Sequence, residues 1–370
     1  MNPGKKKGVL RRTVRVVAIN LGILAVGLVL IDLIFGAWIF GENYGVMIIP
    51  KNIARQFDVQ GLYGGGRSIF KRDKNGLRGR YEDPSKIDIL TVGGSTTNEI
   101  LVTEGKTWSD VLAAEFSANG NPMVVVNAGV DGQTTIGHLK NFDLWFPKIP
   151  DLKARYVLVY VGINDLVRLH RENHAPKQDR LTESRRLFKQ YMLNNSAIYA
   201  FFRNVRGMIR ARDARLVHTQ ENYSGSTWAL PEKQPDVDAA ERKWAAGLNA
   251  YGRRLRALIR RIRVFGAVPI LVTQSRAGYR LRGAKVWGRL QQDGSVDTGA
   301  YVDLSALNRR TMSECRAAKA ICIDLAAELF FEDGDHYDPL HTTPKGSAKI
   351  GHYLYGKLKD IVLKKRTESN

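Results

Sequence analysis

Ile87-Asp88-Ile89-Leu90-Thr91-Val92-Gly93-Gly94-Ser95-Thr96-Thr97 is the stretch that decides the fold of this 370-residue chain. Its first six residues are rich in β-branched and apolar side chains, which predicts a strand. Two glycines and a serine follow at once, which predicts a tight turn that holds a hydroxyl at the strand's carboxyl end. Glycine removes steric bulk there, so another group can approach the serine and its backbone N–H. A phosphate-binding loop would need Lys-Ser/Thr after a longer glycine-rich run, and that is missing. A nucleophile elbow would need Gly-x-Ser-x-Gly, and Thr97 stands where its final glycine belongs. A serine at this point also suits a helix cap.

Four more strand-like runs follow: Met123–Val126, Tyr156–Val161, Val268–Thr273 and Ala320–Asp324. Apolar residues at helical spacing recur near 107–118, 135–146, 238–264 and 303–318, and a last helix is expected from Pro344 to Leu363 with Thr343 as its cap. Apolar strands alternating with helices imply a doubly wound α/β domain with a parallel five-stranded sheet covered on both faces. Ligands of such sheets sit beyond the carboxyl ends of the strands. The expected organisation is a basic N-terminus (1–15), a transmembrane helix (16–40), an irregular glycine-rich connector (41–85), a catalytic domain (86–364) and a short tail (365–370). An insertion, 166–235, interrupts the domain. Its first part, 166–216, holds twelve Lys/Arg against four Asp/Glu, interleaved with Phe188, Tyr191, Tyr199, Phe201 and Phe202. The expectation is a helical excursion whose aromatics pack inward; the sharper alternative is a wall that meets an anionic polymer or a membrane surface. The stripe Leu255, Leu258, Ile259 and Ile262 is expected to pack on the sheet.

Three other segments fall where an α/β site belongs. Asn127-Ala128-Gly129-Val130-Asp131-Gly132-Gln133-Thr134 follows the second strand, and Gly162-Ile163-Asn164-Asp165 follows the third. A glycine at a strand end either makes a turn or frees an N–H to face the crevice; an asparagine there is either a turn residue or a side-chain donor. The fourth segment, Asp335-His336-Tyr337-Asp338-Pro339-Leu340-His341, precedes the last helix. A serine hydroxyl needs a base to become a nucleophile near neutral pH, and an imidazole held by a carboxylate supplies one. Asp338 and His341 are close enough for one loop to present both. The rivals are a polar loop with a capping Asp, and a metal site drawn from Asp335, His336, Asp338 and His341. No metal or other cofactor is expected, because the strand-end segments add only Asp131 and Asp165 as further ligand types.

Taken in order, Gly-Gly-Ser-Thr, Gly, Gly-x-Asn-Asp and Asp-x-x-His resemble the four sequence blocks of the SGNH/GDSL hydrolase family, over roughly residues 86–360. The resemblance implies Ser95 as nucleophile, completed by Asp338 and His341. It implies an oxyanion hole made by the N–H of Ser95, the N–H of Gly132 (Gly129 being the alternative) and the amide of Asn164. The family's Gly-Asp-Ser-Leu reads Gly93-Gly94-Ser95-Thr96 here. Anchored, outward-facing domains of this kind resemble bacterial proteins that handle O-acetyl groups on cell-wall glycans or exopolysaccharides. A lipase or lysophospholipase at the membrane, or a non-catalytic glycan-binding protein, are the alternatives.

Composition sets the surroundings. The chain is 44% hydrophobic and 25% charged, as in folded globular proteins. A net charge of +21 favours an anionic partner, whether acidic polysaccharide, lipid headgroups or nucleic acid. Val16–Phe40 is nearly unbroken apolar sequence, preceded by Lys5, Lys6, Lys7, Arg11, Arg12 and Arg15. Such a run spans a bilayer, and the basic cluster predicts a cytoplasmic N-terminus. The expected location is therefore the inner membrane, single-pass, with the catalytic domain in the periplasm, which argues against nucleic acid as partner. A signal peptide would have a shorter apolar run and a small-x-small site, which is absent after Phe40. Asp32 is the costly residue in this segment. Cys315 and Cys322 are either a disulfide or two buried thiols.

Overall fold

All five strand-like runs belong to one parallel sheet. The structure, a computed structural model, describes residues 3–38, 49–173, 180–213 and 225–367. It comprises two units: Ile49–Ala175 with His218–Asn370, and Met1–Ile48 with Pro176–Val217.

The larger unit opens with an antiparallel hairpin, β1 (Ile53–Asp58) and β2 (Arg67–Arg72). The central strands are β3 (Ile87–Gly93), β4 (Val125–Asn127) and β5 (Ala154–Tyr160). A second, small antiparallel sheet uses β6 (Trp228–Ala229), β8 (Tyr279–Arg282), β9 (Lys285–Leu290) and β10 (Val296–Asp297). The main sheet is completed by β7 (Val268–Val272) and β11 (Ile321–Ile323), in the order β11-β7-β5-β3-β4. After β3 the chain visits β4 on one side and then β5 on the other. The loops leaving β3 and β5 therefore diverge, which leaves a crevice beyond the carboxyl ends of these strands. The register brings Gly93 beside Tyr160, and Tyr160 beside Val272, at one edge of that crevice.

The helices of this unit are α2 (Ser95–Asn98), α3 (Trp108–Ala118), α4 (Thr135–Lys140), α5 (Leu166–Asn173), α8 (Val237–Lys243), α9 (Ala245–Val264), α10 (Gly299–Ala317), α11 (Leu325–Glu328) and α12 (Pro344–Thr367). Thr107 caps α3 in a capping box with Asp110. Thr343 accepts from Gly346 N–H at the start of α12. Ile89, Tyr156, Leu158 and Ile270 form one buried cluster with Trp108, Leu112 and Phe116 of α3 and Ile350, Leu354 and Leu358 of α12. The α9 stripe Leu255, Leu258, Ile259 and Ile262 is buried and α9 contacts β7, as its spacing predicts. Cys315 and Cys322 are joined as a disulfide between α10 and β11.

The stretch read as an irregular connector is more ordered than its composition suggests. Residues 49–85 lie within the larger unit, with Gly64, Gly65 and Gly66 all at positive φ in the hairpin turn. Residues 41–48 lie outside the described residues. Arg78, just after the hairpin, is buried and tied into the domain. Its guanidinium reaches Glu104 Oε1 at 2.7 Å and donates to the carbonyls of Asn98, Glu99 and Val102. The insertion is likewise divided: α5 and β6 belong to the larger unit, and residues 174–179 and 214–224 lie outside the described residues.

The smaller unit contains α1 (Pro3–Phe35), α6 (Arg180–Asn195) and α7 (Ala197–Asp213). Within α1, Arg12–Phe35 is long and apolar enough to cross a membrane. Asp32 is not isolated: its Oδ1 accepts from Ser196 Oγ at 2.9 Å and Ile198 N–H at 3.0 Å, and its Oδ2 accepts from Trp38 Nε1 at 3.1 Å. The aromatics of α6 and α7 do not pack inward as expected. Phe188, Tyr191, Phe201 and Phe202 are exposed, and Tyr199 is half-buried.

Arg78→Met should strand Glu104 and three carbonyls without their buried donor. A loss of about 3 kcal/mol is expected, read as a lower urea midpoint for the detergent-solubilised full chain.

Candidate active site

The turn after β3 is shaped by what surrounds its two glycines. A side chain at residue 93 would collide with Thr97 Oγ1 and lie 2.9 Å from the carbonyl oxygen of Tyr160. One at residue 94 would collide with the amide nitrogen of Asn164. The backbone then turns directly into α2, with Ser95 at its first position and Gly94 as its cap residue. Glu99 closes this single turn in a left-handed conformation, φ 47°, its N–H donating to the Ser95 carbonyl at 2.7 Å.

The closing loop delivers the partners of Ser95. Asp338 Oδ1 accepts from the backbone N–H groups of Leu340 and His341, at 2.8 and 2.7 Å, which folds the loop around the carboxylate. Its other oxygen lies 2.7 Å from His341 Nδ1. His341 Nε2 lies 2.8 Å from Ser95 Oγ, across 246 positions of sequence. The Tyr337 ring stacks on the imidazole at 5.8 Å, and Tyr63 from the hairpin turn packs beside Tyr337. The Pro339 carbonyl accepts from Ala277 N–H in the loop after β7.

The donor groups are divided less evenly. Asn164 follows Gly162, whose φ of 134° only glycine adopts readily, and its Nδ2 donates to the Gln133 carbonyl at 2.9 Å. An amide nitrogen has two hydrogens, so a second donor remains. Gly129 N–H is bonded to Asn127 Oδ1 at 2.8 Å, and a side chain there would strike the backbone of Asn98. Gly132 is exposed at φ 69° with open space around it. Gly129 is thus a packing residue, and Gly132 is the glycine of this loop that faces open space. Asp165 does not face the serine. It is buried under α4, accepting from Thr135 N–H at 2.9 Å, Thr135 Oγ1 at 2.7 Å and Arg254; burial pushes its carboxyl pKa up.

Two of the four candidate metal ligands stand apart from the Asp338/His341 pair. Asp335 binds Lys349 at 2.8 Å, and His336 packs edge-on against Phe331, its pKa pushed down to about 4 by burial and then by Arg280. Among the described residues, no three His, Cys, Asp or Glu side chains are grouped to hold a metal ion.

Two braces were not singled out from the sequence. Gln274, buried two residues beyond β7, accepts from Ile163 N–H at 2.7 Å and donates to Thr96 Oγ1 at 2.8 Å. It therefore ties the nucleophile turn to the Asn164 loop. Glu99 accepts from Trp108 N–H at 2.8 Å, Thr342 Oγ1 at 2.9 Å and Ser347 Oγ at 2.5 Å. It ties the same turn to the residue after His341. Nothing in the local pattern distinguishes a lone Gln or Glu of this kind from a surface residue.

Burial pushes the Glu99 carboxyl from its ordinary 4.5 up to about 7, although its hydrogen bonds oppose the shift. The unfolded chain releases this proton near 4.5, so the folded state holds more protons between those values. The contribution is complete below 4.5 and is lost as the pH rises to 7. Glu99→Gln should flatten this slope, removing ~3 kcal/mol of pH-dependent stability. Urea melts of both proteins at intervals from pH 4.5 to 8 check it; parallel curves would sink the assignment.

Solved structures that resemble the chain include one described as TesA, at 13% identity and a TM-score of 0.42, covering 74% of this chain and 98% of that one. A psychrotrophic esterase EstA from Pseudoalteromonas sp. is 12% identical with a TM-score of 0.40, covering 74% and 98%. A variant of Axe2, an acetyl-xylooligosaccharide esterase from Geobacillus Stearmophilus, is 13% identical with a TM-score of 0.41, covering 74% and 96%. No curated protein matches the sequence. The family profile described as "GDSL-like Lipase/Acylhydrolase family" matches residues 90–349, from within β3 to within α12. With well over half of its length inside that match, the chain belongs to the GDSL-like lipase/acylhydrolase family, the hydrolases that its four motifs resemble.

Proposed function

We propose that this chain is a membrane-anchored serine esterase or acyltransferase acting on O-acetyl groups of an extracytoplasmic glycan. The supporting observation is the continuous line from Asp338 Oδ2 through His341 to Ser95 Oγ, with separations of 2.7 and 2.8 Å. In this reading Ser95 Oγ attacks the ester carbonyl carbon and its proton passes to His341 Nε2. Asp338 accepts the Nδ1–H, holding the tautomer that leaves Nε2 free to take a proton. The developing oxyanion is met by the N–H groups of Ser95 and Gly132 and the spare N–H of Asn164. The carbonyl then re-forms, the C–O bond to the alcohol breaks, and His341 returns the proton to the leaving oxygen. Water or a sugar hydroxyl next attacks the acyl-Ser95 ester, again giving its proton to His341 and freeing Ser95.

The net charge of +21 suits an acidic glycan as the acyl carrier. The apolar helix Arg12–Phe35 suits an inner-membrane anchor with a cytoplasmic N-terminus, which would put the catalytic unit on the far side.

Ser95→Ala should abolish fluorophosphonate labelling and lower kcat for p-nitrophenyl acetate by ~10³-fold or more. Asn164→Ala should cost ~100-fold or more in kcat. Gln274→Ala should lower kcat ~10-fold with KM nearly unchanged, because it positions the turn and the donor loop without touching substrate. Turnover restricted to short acyl chains and acetylated glycan supports the proposal. Preference for long-chain esters would replace it with a lipase, and absence of both labelling and turnover with a non-catalytic binder.

A further inference from the structure

The exposed aromatics of α6 and α7 are the feature of the smaller unit that the proposed chemistry does not use. Leu187, Phe188 and Tyr191 are exposed on α6, and Phe201 and Phe202 on α7. Exposed cations stand among them: Arg185 and Lys189 on α6, Arg203 and Arg206 on α7. Water is a poor surrounding for five large apolar side chains exposed on two successive helices. Aromatic side chains interleaved with Arg and Lys are instead the composition that settles at a bilayer's headgroup boundary.

The depth of this elbow is set by α1. Ser196 caps α7, its Oγ accepting from Tyr199 N–H at 3.0 Å, and donates to Asp32 of α1. Ala37 N–H, just beyond α1, donates to the Asn195 carbonyl at 2.8 Å, and Trp38 meets the Tyr191 ring edge-on at 5.7 Å. From Arg12 to Asp32 a helix climbs about 30 Å, the thickness of a hydrocarbon core. If Arg12 marks one edge of the bilayer, Asp32 and the α6–α7 elbow stand at the other. The same contacts account for a carboxylate in an apolar helix: Asp32 sits at the N-terminus of α7, where N–H groups and the helix dipole favour negative charge.

We infer that α6 and α7 form an interfacial helix pair that lies on the outer face of an anionic bilayer, seated by Asp32 at the end of the span. The inference rests on the membrane-spanning part of the proposed function and is independent of its ester chemistry. The aromatics enter the headgroup layer and the cations meet lipid phosphates.

The test uses the full chain in nanodiscs, with single cysteines carrying a fluorophore, since the native cysteines are paired. Labels at Phe188→Cys and Phe202→Cys report the elbow, Leu24→Cys the middle of α1, and Ala284→Cys an exposed position on the larger unit. The expected result is quenching by shallow spin-labelled lipid at 188 and 202 about threefold or more above that at 284. Deep spin-labelled lipid should quench at 24. Quenching at 188 and 202 should fall when phosphatidylglycerol is replaced by phosphatidylcholine, and in Arg185→Glu/Lys189→Glu. Quenching at 24 with none at 188 or 202 overturns the inference and leaves the span intact. No quenching at 24 removes the span and the inference with it, while Ser95 labelling still judges the ester chemistry. Quenching at 188 by a spin-labelled second copy, instead of by lipid, would assign the face to self-association and also overturn it.

Discussion

The site depends on two volumes that the chain leaves empty, those of the side chains missing at Gly93 and Gly94. The first is taken by Thr97 and the Tyr160 carbonyl, the second by the Asn164 amide. With that room, β3 can pass into α2 while β5's following loop lies directly against the turn. Any larger residue would push the donor loop away from Ser95, so nucleophile and amide are set by one packing constraint. The rest of the crevice is built outward from it: β4's loop lies against Asn98, and Gln274 in the loop after β7 spans the turn and the donor loop.

Much of this was legible because it is periodic or punctuated. Apolar β-branched runs gave five strands in the sheet that was expected, and glycine followed by serine or asparagine marked where strands end. Asp338 and His341 were legible because three residues with an intervening proline restrict a loop to few shapes, and the observed carboxylate does fold the loop through two backbone N–H groups. Geometry also divided the two glycines of the second motif, since Gly129 is held by Asn127 and Gly132 faces open space.

What was not legible depends on long-range partners. The β1–β2 hairpin is short and flanked by glycines, so its composition reads as a connector, yet Tyr63 from its turn supports the Tyr337 that stacks on His341. The small antiparallel sheet has strands of two to six residues, too short for a period to show. The inward packing expected for the insertion's aromatics failed because helical spacing says which residues share a face and not what that face meets. Asp32 looked costly in isolation; two of its three donors come from a segment more than 160 positions away.

Glu99 touches both ends of the domain. One carboxylate takes hydrogen bonds from the start of α3, from Thr342 beside the imidazole and from Ser347 in the first turn of α12. Positions 99, 342 and 347 are coupled through one acceptor: a substitution at any of them changes the hydrogen bonding of the others, although no segment of the chain contains all three. Grafting the closing loop of a distant relative onto this chain would have to carry that acceptor's donors with it, or the graft would arrive with its histidine correctly spelled and its foundation missing.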